Sequence, residues 1–96
     1  MTDDLDMLTQ CIAARRGDFL SPLGPVLLAS TALGIATDTK TFARMFDIAH
    51  ALVIREAVSL DADLGLLHTE DRGDRSQRLF LSLTEAGAAL THMAPA

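Results

Sequence analysis

Apolar positions recur at helical spacing over the first sixty residues, and beyond them the spacing changes. Leu5, Leu8 and Ile12 form one stripe, widened by Met7 and Cys11. Thr2 is placed to cap this segment, with Asp3 and Asp4 at the positive end of the helix dipole and Gly17 as its stop. The spacing therefore predicts a helix over 1–17. Ser21-Pro22 is a second start signal, a cap followed by a first-turn proline, and Gly34 ends the helix it opens. Asp38 or Thr39 caps a third helix through Phe46. Asp47-Ile48 makes a tight turn, and a fourth helix runs from about Ala49 to Asp61.

After that the period falls to two. Leu79, Leu81 and Leu83 alternate with Phe80 and Ser82. The run before them is also apolar, and between the two lies a charged tip near Asp71 to Arg75. This predicts a β-hairpin. Thr84 then caps a last short helix, "EAGAALTHM". No repeat or linker interrupts the chain. The expected fold is α+β, mainly α with a small β-hairpin, in the order of a winged helix-turn-helix. Its parts are an N-terminal helix (1–17), a helical core with the helix-turn-helix (21–63), a wing (65–84) and a C-terminal helix (85–93).

Composition narrows this. Ninety-six residues make one domain, able to fold alone but too small to hold a deep cavity as well. Apolar residues are 49% of the chain, with no Trp or Tyr and four Phe, so the core is aliphatic, which suits packed helices. The single cysteine, Cys11, excludes an intrachain disulfide and is expected to be a small buried hydrophobe. The acidic N-terminus is not a signal peptide. Residues 19–37 carry no charge, but Pro22, Gly24, Pro25 and Gly34 break them, so a core helix is expected rather than a membrane span. The expected location is cytoplasmic.

Two stretches carry a family resemblance. One is "DRGDRSQRLFLSLTEAG", Asp71 to Gly87, a wing with an acidic–arginine tip and the exit Leu83-Thr84-x-x-Gly87. The other is "FARMFDIAHALVIREAVSLDADLGLL", Phe42 to Leu67, a helix, an Asp-Ile turn, a helix and Gly-Leu-Leu. Together they resemble the MarR-type winged-helix transcription regulators, over about half the chain. The resemblance is to a short form, because the family's usual C-terminal dimerisation helices have no counterpart before Ala96. It implies a homodimer that binds double-stranded DNA, and it allows a regulatory ligand without identifying one.

The candidate reading helix is unusual. Of residues 49–60, eight of twelve are apolar. At ~100° per residue, Ala49, Val53, Ala57 and Leu60 share one face, the expected core contact. Arg55, Glu56 and Ser59 share another, with Ala51 and Leu52 beside them. A reading helix needs side chains that bond base edges, and this one offers His50, Arg55 and Ser59. Lys40, Thr41 and Arg44 before it, and Arg72, Arg75, Ser76 and Arg78 in the wing, are expected to hold backbone or minor groove. Six of the eight Lys and Arg residues fall in these segments, which offsets part of the effect of a net charge of −5.

The apolar stripes of the first and last helices, with Leu5, Leu8 and Ile12, are expected to pair two copies. The competing reading is a winged helix turned protein-interaction module, with Leu52 and Ile54 under a partner. Catalysis is not expected. His50, His68 and His92 lie on separate elements, and no metal-ligand spacing, phosphate loop or nucleophile motif is present, so no cofactor or metal is expected either.

Overall fold

The computed structural model describes residues 3–73 and 75–92. Its elements are α1 (Asp4–Arg15), α2 (Leu23–Ala32), α3 (Thr39–Phe46), α4 (His50–Ala62), β1 (Leu67–Asp71), β2 (Leu79–Leu83) and α5 (Glu85–Thr91). This is the α+β order expected, with five helices and one hairpin among the described residues in a winged-helix-like arrangement.

Local chemistry sets the boundaries. Asp3 caps α1 by accepting from the Asp6 amide at 2.8 Å, while Thr2 lies outside the described residues. Ser21 Oγ accepts from the Leu23 amide and so serves the first turn of α2. Asp38, rather than Thr39, caps α3. Asp47 ends α3 in the left-handed region, at φ 53°, and this produces the tight turn before α4. Gly65, at φ 64°, ends α4 the same way, and the Leu66 amide returns to the Leu60 carbonyl.

The core is aliphatic around Phe42. Leu8, Ile12, Leu27, Leu28, Val53, Ala57, Leu60, Leu66, Leu67 and Leu81 are buried with it. The hairpin is antiparallel with Leu67 opposite Leu83 and Thr69 opposite Leu81. That register turns Leu67 and Leu81 to the core and His68 and Ser82 outward. The segment before α3 joins the sheet through a bridge between Asp38 and Phe80, and the Leu81 amide donates to the Thr37 carbonyl at 2.8 Å.

The exit from the wing explains its sequence. Thr84 caps α5 by accepting from the Gly87 amide, and its hydroxyl donates to the Gly65 carbonyl at 2.6 Å. Gly87 is buried against the Leu66 carbonyl, and a Cβ there would overlap that oxygen. The Leu-Thr-x-x-Gly run is therefore a joint between the wing, the end of α4 and α5.

One expectation is corrected. Leu8 and Ile12, expected at a dimer interface, are 2% and 0% exposed within this single chain. Leu5 also packs on the core, partly buried. α1 lies against α2 and α5, and Arg15 donates to the carbonyls of Leu90 and His92 at 2.8 and 2.9 Å. Burying the Leu8 and Ile12 side chains contributes roughly 1.5–3 kcal/mol each. Offering them to a second copy would forfeit that. Cys11, expected to be buried, is only partly so. No helix among the described residues is long and apolar enough to cross a membrane.

Candidate nucleic-acid interface

The residues expected to meet DNA divide into two sets. The first is engaged inside the fold. Thr41 donates to Asp38 through its amide at 2.8 Å and its hydroxyl at 2.7 Å, reinforcing the cap of α3. His50 Nε2 shares a hydrogen bond with Thr39 Oγ1 at 2.8 Å. The same buried Thr39 oxygen accepts from the Leu79 amide at 3.0 Å. One hydroxyl thus ties the start of α3, the start of α4 and the first residue of β2. Arg78 pairs with Asp38 at 3.7 Å and is half-buried. Arg72 pairs with Glu70 at 3.2 Å and lies over the Phe80 ring, 3.9 Å from its centre. Ser59 donates to Asp63 at 3.3 Å.

The second set is Lys40, Arg44, Arg55 and Arg75. The last three are exposed and Lys40 is half-exposed. Among the described residues no ion pair involves any of the four. They lie on α3, α4 and the hairpin tip. Ser76 is half-buried and already has a partner.

Two carboxylates brace the base of the wing. Partial burial pushes the Asp38 carboxyl up. Hydrogen bonds from Thr41 and the charge of Arg78 outweigh this and hold it below its ordinary value. Asp61, near the end of α4, accepts from the hydroxyl of Thr69 on β1 at 2.6 Å and from its amide at 3.0 Å. The hydroxyl bond is the main reason its carboxyl also lies below the ordinary value. Asp38 ties the start of α3 to the hairpin, and Asp61 ties α4 to it.

The outward side of α4 is as apolar as its sequence promised. Leu52 is 53% exposed and Val58 46%, with Ala51 and Arg55 between them, while Ile54 is half-buried. Val53, Ala57 and Leu60 face the core as expected, but Ala49 is exposed. Glu56, expected beside Arg55 and Ser59, is 2% exposed. The first turn of α2 covers it, where Gly24 leaves room: a Cβ on Gly24 would stand 2.7 Å from Glu56 Oε1. No group of three or more His, Cys, Asp and Glu among the described residues is arranged to hold a metal ion.

The arrangement defines a winged-helix-like domain with a sparsely polar second helix in its helix-turn-helix. No protein-family model, curated protein or solved structure matches the chain.

Proposed function

We propose that this chain is a DNA-binding regulator of the winged-helix type, MarR-like in its motifs, acting as a cytoplasmic homodimer. The observation that supports this reading is the set Lys40, Arg44, Arg55 and Arg75. These are cations on α3, α4 and the wing tip with no acidic partner among the described residues. Cations left without partners in the protein are available to phosphate oxygens. Arg55 is the side chain on α4 suited to a base edge, and Arg75 suits the backbone or minor groove beside it. Two copies would set two such helices at half-sites about one DNA turn apart. That pairing uses a surface other than Leu8 and Ile12.

The test is binding of a fluorescent generic duplex at low salt, repeated as salt rises. Affinity falling steeply with salt is the expected result. Arg75→Ala should weaken every duplex about equally, whereas Arg55→Ala should also relax preference between sequences. Absence of binding at the lowest salt would overturn the proposal. The second reading, a protein-interaction module, would then take its place. It is favoured by the exposed Leu52 and Val58 on α4 and by the net charge of −5.

A further inference from the structure

Beside α4, under the segment that enters α2, lies a cavity of about 440 Å³. That is within the range of small-molecule sites, roughly 300–1,000 Å³. Its walls are apolar, formed by Leu20, Leu23, Ile48 and Leu52. Leu20 and Leu52 are about half exposed, at 49% and 53%, so apolar surface here remains in water.

The polar groups lining it are Ser21, Arg55 and Glu56. Glu56 is the unusual one. It is 2% exposed, and Oε2 accepts from Ser21 Oγ at 3.1 Å. Its other oxygen, Oε1, is buried with no hydrogen-bond partner. An oxygen of this kind is costly, because it has given up water without a replacement donor. Arg55, by contrast, is exposed at the rim, where water screens its charge.

We propose that this cavity binds a small amphiphilic amine. The apolar chain or ring of the ligand sits among Leu20, Leu23, Ile48 and Leu52, and its ammonium group donates to the Glu56 carboxylate. A cation supplies the opposite charge that a buried carboxylate favours, while Oε1 itself stands against Gly24. An anion would bring like charge to the same carboxylate, and an alcohol would supply a weaker, uncharged donor. The site needs neither DNA nor a second copy, so it stands or falls apart from the regulatory reading.

Hexylamine, 1-hexanol and hexanoate are the probes, titrated separately into the uniformly ¹⁵N-labelled full chain without DNA. Hexylamine should shift the amides of Gly24, Leu52 and Glu56 saturably, with affinity about tenfold or more above 1-hexanol. Hexanoate should bind most weakly. Glu56→Gln should remove the preference for amine over alcohol while the apolar walls still take both. If that variant does not fold, the order of the three probes on the natural chain decides. Leu52→Ala, at an exposed position, should keep the fold and weaken hexylamine several-fold. Equal binding of amine and alcohol would overturn the proposal, as would no saturable shift, or affinity unchanged in Leu52→Ala.

Discussion

The base of the wing and its tip are built from similar residues and used differently. At the base, Asp38, Thr39, His50, Asp61, Thr69 and Arg78 are joined to one another or to backbone. At the tip, and on the helices it flanks, Arg75, Arg55, Arg44 and Lys40 have no acidic partner among the described residues. A polar side chain beside α4 can thus serve the placement of that helix or remain open to an outside contact. Burial and partners separate the two roles where residue type does not.

Removing part of the base should cost stability, and removing part of the tip should not. The largest effect is expected at Gly87, where Ala would overlap the Leu66 carbonyl. Gly87→Ala should lose about 2–3 kcal/mol, read from the urea midpoint, because backbone has to move. Next is Thr39→Val, which strips a partner from both His50 and the Leu79 amide. A loss of about 2 kcal/mol is expected, with faster hydrogen exchange at Leu79 and Leu81.

Asp61→Asn should cost about 1 kcal/mol at neutral pH. Its carboxyl lies below the ordinary value in the fold. The stabilisation is therefore complete above the unfolded carboxylate pKa and is lost as pH falls through the folded one. The gap between this variant and the natural chain should stay constant above about pH 5 and close in stronger acid. Asp38 acts in the same direction. The smallest effect is at the tip. Arg75→Ala should leave stability within about 0.5 kcal/mol while duplex affinity falls. A destabilised Arg75→Ala would erase the distinction between base and tip.

Much of the fold was legible in the chain. Asp38, Thr84 and Gly34 punctuate the helices where their chemistry says they should, and the alternation from Leu79 to Leu83 gave the strand. The site was less legible. A helical wheel gives the angle of Glu56 but not what covers that angle. The covering segment lies some thirty residues away and fits because residue 24 is glycine. His50, Thr41 and Arg78 are the residue types that contact DNA, and they are equally the types that cap helices and brace loops. Leu8 and Ile12 showed an apolar face without showing whether α2 and α5 or a second copy would cover it.

The bond from the Leu79 amide to Thr39 joins residues forty positions apart. The helices and the hairpin each form from near neighbours, whereas this joint needs a long loop to close first. It is therefore expected to form after the folding barrier. Thr39→Val should then speed unfolding and leave refolding nearly unchanged in stopped-flow mixing, and a slowed refolding limb would instead put the joint in the nucleus. On that order of events the wing is the last part of the domain to settle and the first to leave.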